Sequence, residues 1–197
     1  MRKLNKLIII FFFITSCVPG TGVGKFGTGV DITFDPRTIG MQIDDTIMQK
    51  NLTARLALTE KRYLISIQTE VLDGRIFLSG KVNSPEEKIR ITKLAWETKG
   101  ARSVKNAITI KGQSSFKSTA KDILITSQLR TALILNKKTK SRNYTLETVN
   151  KNIYIFGIAM DEEEKKEVIN EANKIYDVVK VIPSIYLASE LSRTKLN

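Results

Sequence analysis

Few residues in this chain could support covalent or acid–base chemistry. The sequence holds one cysteine, Cys17, and no histidine. One thiol cannot form an intrachain disulfide or a thiolate metal cluster, and without imidazole the commonest general base is missing. The carboxylates of Asp161–Glu164 invite a metal or acid–base interpretation, but acidic residues at a helix start are stabilising without a further role. We therefore predict no enzymatic activity, no catalytic residue, no metal site and no small-molecule substrate.

Cys17 follows a segment that is typical of an export signal. Residues 1–6 include three basic residues, and residues 7–14 form an apolar run of eight, which is too short for a bilayer span of about 20 residues. Ile14, Thr15, Ser16 and Cys17 then match the bacterial lipobox, in which the cysteine sulfur receives diacylglycerol. We predict a signal peptide over residues 1–16 and a diacylglycerol and an acyl chain on Cys17, with no other cofactor. An ordinary cleavage site with a chance cysteine is the alternative.

Positive charge suggests the kind of partner. The net charge is +12, and +9 remains when the three basic residues of the export signal are removed. Such a balance suits nucleic acid or anionic lipid, and export argues against nucleic acid. Residues 121–142 hold six basic residues and one acidic residue, whereas residues 161–171 are mainly acidic. This charge polarity predicts that the end with the basic residues faces phosphates and the end with the acidic residues faces away from them. A solvated basic loop without a ligand is the alternative.

The basic segment begins the second copy of a repeat. Residues of the same type recur at an offset of 77 without a gap. The aligned pairs include Asp45 with Asp122, Leu52 with Leu129, Leu56 with Leu133, Ile76 with Ile153, Gly80 with Gly157 and Glu87 with Glu164. A shared period of this kind indicates two copies of one structural unit.

Each copy has the same predicted order of elements, helix, strand, strand, helix, strand. Apolar residues at i, i+4 and i+8 predict the first helix, with Asp44 or Asp45 as its N-cap in the first copy. Asp73-Gly74 predicts a tight turn between the first two strands. Ser84 in the first copy and Asp161 in the second predict the start of the second helix.

The expected fold class is α+β, with two tandem modules, each αββαβ with a three-stranded mixed sheet packed on two helices. The last strand of the first module is expected over Ser103–Ile110, and Trp96 is expected to pack between modules or against the sheet. The predicted boundaries are 1–16 for the signal peptide, 17–43 for the lipidated cysteine and a flexible tether, 44–111 for module 1, 112–120 for a linker, 121–188 for module 2 and 189–197 for a polar tail.

These features together resemble the dual BON-domain outer-membrane lipoprotein family of the Gram-negative envelope. The resemblance rests on the strands ending at Gly80 and Gly157, the caps that follow them, the order of elements and the lipobox. Residues 35–45 also look like the segment before the first module in an outer-membrane, division-associated, lipid-binding member. The family's lipid-binding helix can carry an aromatic residue near its start, where this sequence has Leu124.

The resemblance implies a non-enzymatic, lipid-anchored protein at the periplasmic face of the outer membrane, which it helps to keep intact. The second module would bind an anionic phospholipid membrane through its first helix and the basic residues after it. The predicted lipid-binding residues are Leu124, Ser127, Gln128, Arg130, Lys137, Lys138, Lys140 and Arg142. A scaffold that binds envelope or division proteins is the alternative function.

Overall fold

The computed structural model of the chain describes residues 35–112 and 116–192; the predicted signal peptide, Cys17 and most of the predicted tether lie outside them. The helices are α1 (Ile39–Thr59), α2 (Tyr63–Ser66), α3 (Pro85–Trp96), α4 (Phe116–Leu135) and α5 (Glu162–Lys174). The strands are β1 (Ile67–Leu72), β2 (Arg75–Val82), β3 (Ser103–Asn106), β4 (Thr109–Ile110), β5 (Tyr144–Val149), β6 (Asn152–Ala159) and β7 (Lys180–Leu187). The predicted order of elements and the α+β class are confirmed.

Each module has a mixed sheet with its second strand in the middle. In module 1, β2 pairs antiparallel with β1 and parallel with β3 and β4. In module 2, β6 pairs antiparallel with β5 and parallel with β7. The registers match across the repeat, because Ile67 stands opposite Gly80 and Tyr144 opposite Gly157.

The last strand of module 1 is interrupted, although the sequence predicts it as continuous. The side-chain oxygen of Asn106 accepts a hydrogen bond from the Ile108 amide at 2.8 Å. A side chain that bonds its own backbone two residues on turns the chain away from the ladder. The strand therefore divides into β3 and β4.

The first helix of each module begins earlier than predicted. Thr38, and not Asp44 or Asp45, caps α1, and its hydroxyl accepts a hydrogen bond from the Met41 amide. Asp45 lies within the helix and is buried. In the second copy, α4 starts at Phe116 inside the predicted linker. Helix α1 therefore includes the last residues of the predicted tether, and α4 includes the second half of the predicted linker.

The second helices begin where the sequence predicts. Ser84 accepts from the amide of Glu87, and Asp161 accepts from the amide of Glu164 at 2.8 Å. These hydrogen bonds satisfy amides that have no partner within the helix. The caps therefore fix the residues at which α3 and α5 begin.

Each sheet buries one face under its helices. Leu52 and Leu56 of α1 and Ile91 and Ala95 of α3 pack on β1 and β2 in one core. The equivalent residues of α4 and α5 pack on β5 and β6 in a second core. Within the described residues, no helix has the length and apolar composition that a membrane span requires.

The other faces of the two sheets pack against each other. Phe77 of β2 stacks on Phe156 of β6 with ring centroids 5.3 Å apart, and Ala107 joins them in a small apolar cluster. The molecule is therefore layered as helices, sheet, sheet and helices. Trp96 does not lie between the modules or against a sheet as predicted, because it points outward from α3 and is 53% exposed.

The end of the described chain returns to module 1. Leu191 is buried against Met41 of α1 and Ile158 of β6. The amide of Ser192 lies 3.2 Å from a carboxylate oxygen of Asp73, 119 residues earlier in the chain. The same carboxylate pairs with Arg75 and Arg102. These contacts fasten the last described residues to the hairpin turn of the first module.

Candidate lipid-binding surface

Helix α4 separates a buried face from an exposed face. Ile125, Leu129 and Leu133 point into the core of module 2, at the i, i+4 and i+8 positions that form one side of a helix. The opposite side carries the predicted residues Leu124, Ser127, Gln128 and Arg130, and each of them is exposed. The packing of the helix thus brings these four side chains to one surface.

This exposed face is more apolar than the sequence analysis predicted. Leu124 is 58% exposed and Leu135 75% exposed, and Ile123 and Ile134 are exposed as well. Ile123, Ile134 and Leu135 were not predicted as site residues. Their helical positions could have identified them, since they fall off the stripe that fills the core. Four large apolar side chains thus stand on one exposed helix face, and α1 of module 1 exposes four as well, Ile39, Ile43, Ile47 and Leu58. The basic loop after α4, rather than apolar exposure alone, distinguishes α4 from α1.

An aromatic side chain extends the surface at the N-terminal end of α4. Tyr176, in the loop after α5, is 88% exposed, and Val179 beside it is exposed too. The Asp177 carboxylate holds this loop against the helix through an ion pair with Lys121 at 3.1 Å. A second ion pair joins Asp177 to Lys151 at 2.6 Å, and these two partners lower the pKa of Asp177. Tyr176 could not be predicted, because its proximity to α4 depends on the tertiary contact.

The basic loop that follows α4 lies at the other end of the same helix. The predicted residues Lys137, Lys138, Lys140 and Arg142 are all exposed there. The Thr139 hydroxyl donates to the Leu133 carbonyl at 2.7 Å, which folds the loop back on the helix end. The surface therefore runs along α4 from Lys121 to Leu135, about 22 Å at 1.5 Å per residue, and continues into the basic loop.

The acidic helix α5 lies beside the basic loop and not at the far end of the module. Lys138 pairs with Glu163 at 3.0 Å, and this hydrogen bond raises the pKa of the Lys138 ammonium. Asn136 donates to Glu167 at 2.9 Å and to Glu171 at 3.1 Å. The predicted charge polarity of module 2 is therefore wrong, because folding brings the two segments into contact.

The carboxylate run at the start of α5 has structural partners. Asp161 caps the helix. Glu164 is buried and accepts from the amides of Met160 at 2.9 Å and Lys140 at 2.7 Å. In residues 35–112 and 116–192, no three acidic or cysteine side chains are grouped as metal ligands. Glu164 thus connects the basic loop to the helix start.

A duplicated αββαβ unit, with a mixed sheet under two helices in each copy, defines a class of small α+β modules. The chain belongs to the BON domain family, whose profile matches residues 44–112 and 121–188. It is similar to the outer membrane lipoprotein DolP of Haemophilus influenzae, with 26% identity over 186 residues, 92% of this chain and 94% of that protein. It is also 31% identical over 123 residues to an uncharacterised protein in the gshII 5′ region of Anaplasma centrale, covering 62% of this chain and 82% of that protein.

Among solved structures, the chain overlaps with CdsD, a structural protein of the type III secretion system of Chlamydia trachomatis. The identity is 15%, the TM-score is 0.29, and the overlap covers 73% of this chain and 63% of that chain. At this TM-score the overlap supports no conclusion about function.

Proposed function

We propose that the protein is a non-enzymatic envelope lipoprotein that binds anionic phospholipid through the exposed face of α4 and supports outer-membrane integrity. It is anchored by lipid on Cys17 at the periplasmic face of the outer membrane. The similarity to an outer membrane lipoprotein over nearly the whole chain supports this location. The observation that carries the binding site is the apolar face of α4 together with the exposed basic residues of the loop at its C-terminal end.

The chemistry of the α4 face suits the boundary between lipid head groups and acyl chains. Apolar side chains on one side of a helix can enter this boundary while cations remain among the phosphates. Each basic residue near an anionic surface contributes about 1 kcal/mol at low salt. Tyr176 adds an aromatic ring with a polar tip, a side chain that is favoured at membrane interfaces. The Lys138–Glu163 pair reduces the positive charge that the basic loop offers to a membrane. The apolar residues must therefore supply a larger share of the binding free energy.

The repeat supplies a matched control for this proposal. Leu124 and Leu135 of module 2 correspond at the 77-residue offset to Ile47 and Leu58 of module 1, which are 54% and 88% exposed. We compare Leu124→Ser/Leu135→Ser with Ile47→Ser/Leu58→Ser in the chain from Val18 to Asn197, which retains every contact described above. The measurement is co-sedimentation with vesicles of phosphatidylcholine, with and without phosphatidylglycerol, at low salt.

We expect the wild-type chain to bind only vesicles that contain phosphatidylglycerol. The module 2 variant should bind at least about tenfold more weakly, because two partly buried leucine side chains are worth about 2 kcal/mol or more. The module 1 variant should bind like the wild type. Equal loss in both variants would contradict the assignment to α4, and no binding by the wild type would contradict the lipid function.

A scaffold for envelope or division proteins is a second candidate function. Trp96 and Ile89 are exposed on α3, which lies in the outer helical layer opposite α4. An exposed tryptophan with an apolar neighbour is a frequent anchor at protein interfaces. Charge reversal of Lys137, Lys138, Lys140 and Arg142 distinguishes the two functions in cells, because unchanged localisation would favour a protein partner.

A further inference from the structure

The packing of two similar modules creates two equivalent clefts. Each cleft lies between the first helix and first strand of one module and the middle strand of the other. Lys81 of β2 in one cleft corresponds at the 77-residue offset to Ile158 of β6 in the other, and Val149 corresponds to Leu72. The two clefts therefore share a backbone frame but differ in their side chains.

One cleft is filled and the other is open. Ile158, Leu72 and Met41 close the cleft at module 1 together with Leu191 from the end of the described chain. The cleft at module 2 keeps a volume of about 260 Å³. Its lining residues include Lys81, Thr109, Thr126, Ser127, Glu147 and Thr148. A site of this size, lined by hydroxyls and by charges of both signs, is suited to a small polar group.

The charged side chains that line the open cleft differ in how far existing hydrogen bonds satisfy them. The Lys81 ammonium contacts the Thr119 hydroxyl at 3.4 Å. The Asp122 carboxylate is already satisfied, because it accepts from the amides of Asn150 at 2.9 Å and Lys151 at 2.8 Å. Glu147 is half-buried nearby, and burial together with repulsion from Asp122 raises its pKa, while Lys81 partly opposes the rise. The cleft thus offers one cation and a carboxylate that a further positive group would stabilise.

The open cleft is continuous with the α4 face. Ile123 and Ser127 line the cleft and also stand on the exposed side of the helix. A head group from a membrane that contacts α4 can therefore enter the cleft from that side. This continuity favours a lipid over a free metabolite.

We propose that this cleft binds the phosphoethanolamine head group of a phospholipid, with the phosphate at Lys81 and the ammonium at Glu147. The Ser127 and Thr148 hydroxyls donate to the phosphate oxygens, since Thr109 and Thr126 already donate to the Gly80 carbonyl and to Thr148. The proposal rests on the proposed membrane function and adds a head-group preference to it. Phosphatidylcholine has the same net charge but its trimethylated nitrogen cannot donate a hydrogen bond, so the cleft should distinguish the two lipids.

The test compares vesicles with a fixed fraction of phosphatidylglycerol and a remainder of either phosphatidylethanolamine or phosphatidylcholine. The variants are Lys81→Ile, which copies the residue of the filled cleft, and Glu147→Gln, with Lys50→Ile on α1 as a control for charge. Urea unfolding checks that each variant is folded. A second arm titrates glycerophosphoethanolamine and, separately, inorganic phosphate against the vesicle-free protein by NMR.

We expect the wild type and Lys50→Ile to bind about tenfold more tightly to the phosphatidylethanolamine vesicles, as expected for charge-assisted hydrogen bonds. Lys81→Ile and Glu147→Gln should lose this preference but keep their dependence on phosphatidylglycerol. Glycerophosphoethanolamine should shift the Gly80 and Thr148 amide signals, and inorganic phosphate should not.

Three results would overturn the proposal: no preference in the wild type, a preference that persists in both cleft variants, or equal shifts with inorganic phosphate. A preference that persists in both cleft variants would come from lipid packing in the bilayer. Equal shifts with inorganic phosphate would indicate a general anion site. If wild-type binding does not depend on phosphatidylglycerol but is still tighter to ethanolamine lipid, the proposed anionic-lipid function is contradicted. The proposed head-group site in the cleft is then still supported.

Discussion

A buried aspartate in each first helix holds the hairpin turn of its module. Asp45 accepts from the amides of Asp73 at 2.8 Å and Gly74 at 2.9 Å. Asp122 makes the same pair of hydrogen bonds to the second turn. Both turns have positive φ at their two central residues, so the amides point inward and need an acceptor. The aspartate thus couples helix position to strand register, which is why it recurs at the repeat offset.

We predict that Asp122→Ala lowers the free energy of unfolding by about 2–4 kcal/mol, because two partly buried turn amides lose a charged acceptor. Urea unfolding followed by circular dichroism measures the change. Gln128→Ala, exposed on the same helix, should alter stability by less than about 0.5 kcal/mol. A loss in Asp122→Ala no larger than in that control would show that the turn does not depend on the aspartate.

We predict that Glu147→Gln makes the protein more stable near neutral pH. The pKa of Glu147 is raised in the fold by burial, so the folded state binds the proton more tightly than the unfolded state. Stability from this group therefore falls as the pH rises above the ordinary carboxyl range. Urea unfolding between pH 4 and pH 8 should show a smaller decline in the variant. Parallel pH curves for the two proteins would contradict the prediction.

At the scale of elements, the middle strand of each module needs a glycine where another segment crosses it. A β-carbon at Gly157 would overlap the Asn143 carbonyl oxygen, and one at Gly80 would overlap the Ser66 carbonyl oxygen. Asn143 ends a short 3-10 turn, Ser141–Asn143, which joins the basic loop to β5. The close approach at Gly157 thus places the basic loop against the sheet of module 2.

We predict that Gly157→Ala lowers the free energy of unfolding by about 2 kcal/mol or more, because backbone must move to relieve the overlap. Gly112→Ala is the control, since Gly112 has φ +85 and no atom within 4 Å of the added carbon. Its cost should be about 1 kcal/mol, from the left-handed backbone alone. Chemical denaturation of both variants provides the comparison, and a smaller loss at Gly157 would argue against the steric account.

The local elements were predictable because they depend on nearby residues. The turn at Asp73-Gly74 and the caps at Ser84 and Asp161 combine a residue type with a fixed spacing, and each is confirmed. The start of α1 was not predictable from Asp45, because its role depends on a turn 28 residues later. The outward direction of Trp96 and the proximity of Tyr176 to α4 likewise depend on tertiary packing. Sequence reasoning therefore found the basic part of the candidate surface and missed most of its apolar part.

At the scale of the molecule, the two sheets share a single buried interface. Phe156 has no exposed surface, and Tyr186 packs edge-on against it at 6.3 Å between ring centroids. Arg75 of module 1 lies over the Tyr186 ring at 4.0 Å. A module of this size buries a thin core by itself. The interface therefore adds apolar burial that neither module has alone.

We predict that Phe156→Ala lowers the free energy of unfolding by about 3–5 kcal/mol, and that Phe77→Ala/Phe156→Ala separates the unfolding of the modules into two transitions. Differential scanning calorimetry would record one transition in the wild type and two in the double variant. Tyr176→Ala, which removes an exposed ring, should leave a single transition at an unchanged temperature. One cooperative transition in the double variant would mean that other contacts couple the modules.

The hydrogen bond from Ser192 to Asp73 imposes an order on folding, because it joins residues 119 positions apart in the chain. Because synthesis proceeds from the N-terminus, the first hairpin must wait for residues 191–192 before its carboxylate and the neighbouring apolar cleft are covered. A chain still being synthesised therefore presents this site to solvent until Leu191 and Ser192 have been added. A truncation before Leu191 should accordingly leave the turn and the apolar cleft of the first module exposed to solvent.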